Sequence, residues 1–161
     1  MTDHIVSQHY VDSLFFGLEE TFTTVRGGYL DPGTSLFETL ATIDAVEASK
    51  PVSACCASIA AQVFHVRFYI DNIEQWMNST PPKDVDWNSS WTTVTTVTED
   101  EWTALIGELR ASYDRVRETM KSYDAWDNQD RLGGSLMLLV HTAFHLGQIR
   151  QSLCTIKSCL P

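Results

Sequence analysis

Apolar residues recur every three or four positions along four long stretches of this chain, which is the pattern of α-helices that bury one face. The clearest stripe, in the first stretch, consists of Tyr10, Leu14, Leu18 and Phe22. The alternating pattern of β-strands is not found. The sequence therefore predicts four long helices, over residues 4–25, 51–78, 98–126 and 127–157.

Local signals mark helix starts inside and between these stretches. Ser35 is followed three residues later by Glu38, and Thr98 is followed by Glu101, so each pair matches a capping box at a helix N-terminus. We expect a short helix after Ser35 and a second short turn near residues 45–48. The same signal places the start of the third long helix at Thr98.

Together these elements predict an all-α fold, a four-helix bundle that forms one domain over residues 1–161. The connection between the first and second long helices, residues 27–50, is long. A connection of that length can cross an end of the bundle, so a simple up-down-up-down order of helices does not follow from the sequence.

Composition narrows the class of function. The net charge of −10 argues against nucleic-acid phosphates and anionic membranes as main partners. Polar residues follow Met1 where a secretory leader would be apolar, and apolar runs stay short of the roughly 20 residues of a membrane span. We therefore expect a cytoplasmic protein. In such a protein the four cysteines are expected to be buried, reduced thiols within helices; they are Cys55, Cys56, Cys154 and Cys159.

Candidate chemistry lies in three histidines. His141 and His145 are spaced four residues apart in an apolar helical run, so both imidazoles lie on one face. His65 lies in a second apolar helical run and can supply a third nitrogen. Three imidazoles that leave open positions on an ion are typical of a catalytic metal site. Imidazole donors suit Zn, Ni, Fe or Cu.

Two known kinds of metal site are excluded. The H-E-x-x-H zinc proteases need Glu directly after the first histidine, where this chain has Thr142. Di-iron bundles need two Glu-x-x-His motifs, and the chain contains none.

Other residues have weaker signals for a role in the site. Beside the metal we expect three side chains, those of Gln148, Gln62 and Tyr69. His4 and His9 are expected on the surface. Exposed positions that favour a homodimer are expected for Trp87, Trp91 and Trp102.

Two segments carry a family resemblance, SIAAQVFHVRFYIDNI and GGSLMLLVHTAFHLGQIRQ, together with the linker DWNSSW. They resemble the DinB/YfiT-like superfamily over nearly the whole chain. The resemblance implies a four-helix bundle whose metal ligands are His65, His141 and His145. It implies zinc or nickel as the ion, with iron or manganese as alternatives, and thiol-dependent S-transferase or isomerase chemistry.

The expected function follows from the three histidines and from the family resemblance. A small-molecule substrate would react with a low-molecular-weight thiol, or with water in a hydrolase, after a divalent ion has lowered the pKa of the nucleophile. The alternatives are a bundle that binds metal or ligand without turnover, such as a stress-response accessory protein, and a purely structural bundle. No residue stands out as a general base.

Overall fold

The computed structural model describes residues 7–158, and within that range the chain is all-helical, without a β-strand. The predicted all-α class is therefore confirmed. Four of the described helices are long and three are short. In chain order the helices are α1 (Ser7–Phe22), α2 (Leu36–Leu40), α3 (Ala45–Ser49), α4 (Ile59–Met77), α5 (Ser89–Thr92), α6 (Glu99–Lys121) and α7 (Gln129–Ser158).

The long helices pack around one apolar core. Helix α4 contacts both α7 and α6, and α1 packs along α7. At the end of α1 the ring of Phe22 stacks on Tyr113 of α6, with ring centroids 4.1 Å apart. The fully buried aliphatic side chains come from all four long helices and from α2, and include Leu18, Leu36, Ile70, Leu109 and Leu138. The contact between α4 and α7 matters most for function, because it brings the candidate histidines together.

The predicted start of the second long helix was wrong. Helix α4 begins at Ile59 and not near Pro51. Ser58 caps it, since its hydroxyl accepts a hydrogen bond from the Ala61 amide at 3.2 Å. Residues 50–58 form turns in front of that cap. This correction moves two cysteines out of the helix and into a loop.

Two predicted helix ends were too late. The first helix was expected to reach Val25, but α1 ends at Phe22. The third was expected to reach Trp126, but α6 ends at Lys121. The chain leaves the helix there, and the centroid of the Trp126 ring lies 6.0 Å from that of Tyr10 on α1. The predicted start of the first helix at residue 4 lies outside the described residues.

The capping boxes were predicted correctly. In both Ser35–Glu38 and Thr98–Glu101 the first side chain accepts from the later amide, and the glutamate accepts from the cap amide. A third box, in which Asp44 pairs with Glu47, begins α3. These caps fix the short helices of the long connection, whose second turn the sequence placed near residues 45–48.

A buried carboxylate ends α1 and reverses the chain. Glu20 is fully buried, and its two oxygens accept hydrogen bonds from the backbone amides of Arg26, Gly28, Tyr29 and Leu30 at 3.2, 2.9, 2.6 and 2.8 Å. These donors, the Tyr29 amide foremost, lower the pKa of Glu20 to about 2 although burial opposes the shift. The loop after α1 is therefore folded around one negative charge.

Helix α7 leaves part of its apolar surface exposed. Four of its large apolar side chains are exposed: Leu136, Met137, Val140 and Phe144. By length and mean hydropathy (1.2 over its most apolar window, of which 39% is buried) α7 is the one described helix that could cross a membrane. Core helices of soluble proteins satisfy the same criterion, so the feature is weak evidence for a span.

Two further predictions about side chains were wrong. The cysteines were expected to be buried, but Cys55, Cys56 and Cys154 are exposed; Cys159 lies outside the described residues. Trp102 was expected at the surface, but it is buried, and its indole N–H donates to the Ile43 carbonyl at 2.8 Å. Its amphipathic ring therefore anchors α6 to the chain between α2 and α3.

Candidate metal centre

Three imidazoles converge where α4 meets α7. His65 comes from α4, while His141 and His145 lie one turn apart on α7. The nearest nitrogens of the three rings all lie within 4.8 Å of one another, and Nε2 of His65 is 3.1 Å from Nε2 of His141. Two nitrogens bound to one ion at about 2.0–2.1 Å are themselves separated by about 2.9–3.4 Å. The closest pair thus already has the spacing of metal ligands.

A serine orients the first imidazole. Nδ1 of His65 lies 2.8 Å from the Ser90 hydroxyl, which itself donates to the Trp87 carbonyl at 2.6 Å. Because that hydroxyl proton is already used, Ser90 accepts the proton of Nδ1. His65 therefore carries its hydrogen on Nδ1 and directs the lone pair of Nε2 toward the other histidines, which is the arrangement of a metal-binding imidazole.

Aromatic rings hold the imidazoles in place. The Trp91 ring stacks on His65 with centroids 3.8 Å apart, and the Tyr69 ring stacks on His141 at 3.6 Å. The rings of Phe144 and His145 are nearly perpendicular, with centroids 5.2 Å apart. Stacked neighbours restrict ring rotation, so the directions of the nitrogen lone pairs are set before any ion arrives.

All three imidazoles are uncharged at neutral pH. Burial, reinforced by the neighbouring histidines, lowers the pKa of His65 to about 4 and that of His141 to about 3. Burial also lowers the pKa of His145, and the nearby Gln148 side chain opposes the shift. Only neutral imidazole offers a lone pair to a metal, so the environment keeps all three residues ready to bind.

The cluster leaves polar atoms unpaired. Nδ1 of His141 and Nδ1 of His145 are buried and lack a hydrogen-bond partner among the described residues. Leaving such an atom unpaired costs about 1–3 kcal/mol. Folded proteins rarely keep several of these atoms together without a ligand or a water to satisfy them. The three histidines therefore form a site that is costly for the protein alone.

A cavity of about 630 Å³ lies beside the residues that surround the cluster, and none of the three histidines lines it. Its walls include Trp91, Phe144 and Gln148, each of which approaches the ring of His65 or His145. Among the described residues, its lining carries no charged side chain. This volume is large enough for a small molecule beside the histidines.

The other predicted site residues are near the cluster in different ways. Gln62 is buried and Gln148 exposed, and both line the cavity, whereas Tyr69 stacks directly on a histidine. His9 is exposed on α1, as predicted. His4 lies outside the described residues.

Two residues in contact with the cluster were missed. Both residues, Ser90 and Trp91, lie in α5, a short helix within a polar linker. The linker has no apolar periodicity that would predict a buried side chain at these positions. The two tryptophans of this linker, Trp87 and Trp91, were expected at exposed positions. Trp91 instead stacks on His65, while Trp87 is 42% exposed and meets the Phe68 ring edge-on.

Comparisons of the chain with protein-family models, with curated proteins and with solved structures find no match. The functional argument therefore depends on the geometry of the site. What that geometry offers is three neutral nitrogen donors, two stacked aromatic walls and an adjacent uncharged cavity.

Proposed function

We propose that His65, His141 and His145 hold one divalent metal ion, and that the protein is a metal-dependent enzyme acting on a small molecule in the adjoining cavity. The convergence of the three imidazoles carries this proposal. The favoured reaction is transfer to or from a low-molecular-weight thiol, with hydrolysis as the second chemistry.

The donor set fits such an ion. All three ligands are neutral nitrogens, and Ser90 fixes one of them in the binding tautomer. Zinc and nickel accept this set well, and iron or manganese are alternatives. Three ligands leave a coordination position open, which separates a catalytic site from a closed structural one. A bound ion would draw the most distant nitrogens closer.

The proposal includes the fold. We infer a four-helix bundle of DinB/YfiT-like plan, formed by the four long helices α1, α4, α6 and α7. In support, α4 contacts α6 and α7, and α1 contacts α7. The ligand positions on α4 and α7 coincide with the two segments that resemble that superfamily.

The ion would activate the nucleophile, and residues of the cavity wall would bind the substrate. A bound divalent ion lowers the pKa of a thiol or water that coordinates it. Gln148 at the cavity wall can donate to or accept from a substrate, while Trp91 and Phe144 offer it apolar surface. The lack of charge in the described lining favours an uncharged reacting group.

The experiment measures by absorbance the reaction in which a thiol displaces chloride from chlorodinitrobenzene. The protein is first stripped of metal and then loaded with zinc or nickel. We expect the ion to accelerate the reaction with wild type and with His9→Ala, and not with His145→Ala. Equal rates for wild type and His145→Ala would overturn the thiol chemistry. The same three proteins assayed with nitrophenyl acetate test hydrolysis.

Metal binding without turnover in either assay would favour the non-catalytic alternative, a metal- or ligand-binding accessory protein. One observation supports this non-catalytic alternative: the group of candidate ligands contains three histidines and no described carboxylate that could act as a general base.

A further inference from the structure

The apolar surface that α7 leaves exposed lies on one side of that helix. Four large side chains on it are between 43% and 61% exposed: Leu136, Met137, Val140 and Phe144. Between Arg131 and Arg150 the helix has no Asp, Glu, Lys or Arg, although the chain as a whole has a net charge of −10. An exposed apolar surface of this kind is typical of an interaction site.

The exposed positions are regularly spaced. Alternating intervals of four and three residues separate five exposed residues, Gly133, Met137, Val140, Phe144 and Gly147. Such a repeat forms the seam along which one helix packs on another. This seam, together with the neighbouring Leu136, is the apolar face of α7. Because its residues are exposed, no helix of the described chain covers it.

The apolar face is symmetric about Val140. Leu136 precedes Val140, and Phe144 follows it, by four residues. Gly133 and Gly147 lie seven residues away on either side. A second α7 that runs antiparallel, related by a two-fold axis at Val140, therefore brings Leu136 opposite Phe144 and Gly133 opposite Gly147. The face is thus complementary to a copy of itself.

The shape of the surface has the same symmetry. A hollow of about 410 Å³ adjoins Leu136 and Gly133, and its walls include Tyr10 and Trp126. On the other side of the axis the Phe144 ring is 61% exposed. The two-fold axis brings this ring to the end of the second copy where the hollow lies. Each copy therefore offers one protruding ring and one hollow, which a closed symmetric dimer uses twice.

Two glycines of the face have no packing role within the described chain. A Cβ added at Gly133 or at Gly147 would meet no described atom within 4 Å. At Gly134, by contrast, a Cβ would collide with the Met77 side chain of α4. Glycine destabilises a helix interior relative to alanine. Packing against α4 therefore explains Gly134, whereas the close approach of a second helix explains Gly133 and Gly147.

We propose that the apolar face of α7 binds a second copy of this chain, with the two α7 helices antiparallel around a two-fold axis at Val140. Two copies that each carry a net charge of −10 repel one another over most of their surfaces, and this uncharged face lets them approach. A charged partner would find no opposite charge on the face. Its symmetry therefore selects a second copy as the occupant.

This pairing goes beyond the proposed metal chemistry, because it needs no ion. It also borders the proposed site, since Phe144 and Gly147 line the cavity of about 630 Å³. The second copy would bring its own Leu136 and Gly133 to that wall. Each copy would then close one side of the cavity of the other.

The first test is analytical ultracentrifugation of the full-length, metal-free protein at micromolar concentrations. We expect twice the chain mass of 18.1 kDa. Val140→Glu places two like charges at the axis and should raise the dissociation constant at least about 100-fold. Val46→Glu, at a 74% exposed position on α3, is the control and should stay dimeric. A monomeric wild type, or a dimeric Val140→Glu, would overturn the proposal.

A pair of variants tests the antiparallel register. Leu136→Lys and Phe144→Glu should each be monomeric. Their mixture should form a dimer of one copy of each, because the introduced lysine then faces the introduced glutamate and the other pair of positions is unchanged. A parallel pairing would place each position opposite itself and give no such rescue. Failure of the mixture to dimerise, with both proteins folded by circular dichroism, would contradict the two-fold axis at Val140.

A glycine variant tests the close approach of the helices. Gly133→Leu keeps the face apolar and adds bulk, so the dissociation constant should rise about tenfold or more. Gly107→Leu on α6, where an added Cβ also meets no described atom within 4 Å, is the matched control and should leave dimerisation unchanged. Equal dissociation constants for these two variants would contradict the assigned interface.

A lipid bilayer is the competing occupant of the face. Flotation with phosphatidylcholine vesicles distinguishes it, since these vesicles carry no net charge that would repel the protein. We expect wild type to stay in solution. Flotation of wild type, lost in Val140→Glu and kept in Val46→Glu, would assign the face to lipid and overturn the proposed dimer.

Discussion

Two buried polar clusters in this protein solve the same physical problem to different degrees. Glu20 is charged, yet four backbone amides satisfy its carboxylate. The histidine cluster is uncharged, yet Nδ1 of His141 and Nδ1 of His145 are left without described partners. A polar group that folding has fully satisfied is structural, whereas a cluster of buried polar groups left unsatisfied is a candidate for a ligand site.

The direction of the pKa shifts expresses the same contrast. Hydrogen bonds stabilise the charged form of Glu20 and lower its pKa to about 2. Burial disfavours the charged form of the histidines and lowers the pKa of His141 to about 3. The lowered pKa of Glu20 reflects hydrogen bonds that stabilise the fold. The lowered pKa of His141 reflects burial, which keeps the imidazole uncharged and able to offer its lone pair to a metal.

The largest effect on stability is expected at the satisfied cluster. Glu20→Gln replaces two acceptor oxygens by one oxygen and one amino group, which faces backbone donors and leaves them unpaired. We expect the melting temperature to fall on the order of 10 °C, measured by circular dichroism. The control is Glu19→Gln, which removes an exposed ion pair to Arg26 and should change little.

Acid titration extends this test. Since the folded pKa of Glu20 lies below its ordinary value of 4.5, its stabilisation is present above pH 4.5 and is lost as the pH falls toward 2. Glu20→Gln should lose this part of the pH dependence of the free energy of unfolding. Suppose that Glu20→Gln is as stable as wild type and that its free energy of unfolding depends on pH in the same way. The proposed contrast between the Glu20 cluster and the histidine cluster would then be contradicted.

The next effect concerns the residue that orients His65. Ser90→Ala removes the acceptor that keeps hydrogen on Nδ1, so Nε2 is no longer held in the metal-binding tautomer. We expect zinc affinity, measured by competition with a chromophoric chelator, to fall about 10- to 100-fold. The neighbouring Ser89→Ala, whose hydroxyl bonds only the Asp86 carbonyl, is the control and should bind as wild type does. Equal affinities would assign Ser90 a purely structural role.

The smallest effect is also the most discriminating. His141→Phe keeps an aromatic ring on Tyr69 and removes the unpaired Nδ1, but it also removes the Nε2 that lies 3.1 Å from Nε2 of His65. Because these two effects oppose each other, we expect the free energy of unfolding of the metal-free protein in urea to change by no more than about 1 kcal/mol. A larger loss of stability, absent from the exposed control His9→Phe, would mean that the imidazole serves the fold.

Sequence patterns identified the helices and the histidines because both depend on short-range spacing. His141 and His145 share a helix face by periodicity alone, and capping boxes mark helix starts within four residues. The start of α4 was misplaced because Pro51 suits the first turn of a helix, whereas the residue that caps α4 is Ser58.

What could not be predicted depends on contacts distant in sequence. Ser90 and Trp91 reach His65 across a polar linker, and nothing in their neighbours marks them as buried. Glu20 looks like any surface glutamate of an amphipathic helix until the loop from Arg26 to Leu30 folds over it. The metal, the reaction and the DinB/YfiT-like family stay predictions.

The central claim is that the unsatisfied cluster is a metal site. Its most direct test is zinc titration of metal-free protein by calorimetry, with elemental analysis of the loaded product. We predict one zinc per chain in wild type and in His9→Ala, and none in His65→Ala, His141→Ala or His145→Ala. One zinc per chain bound with wild-type affinity by a folded His65→Ala protein would contradict the account.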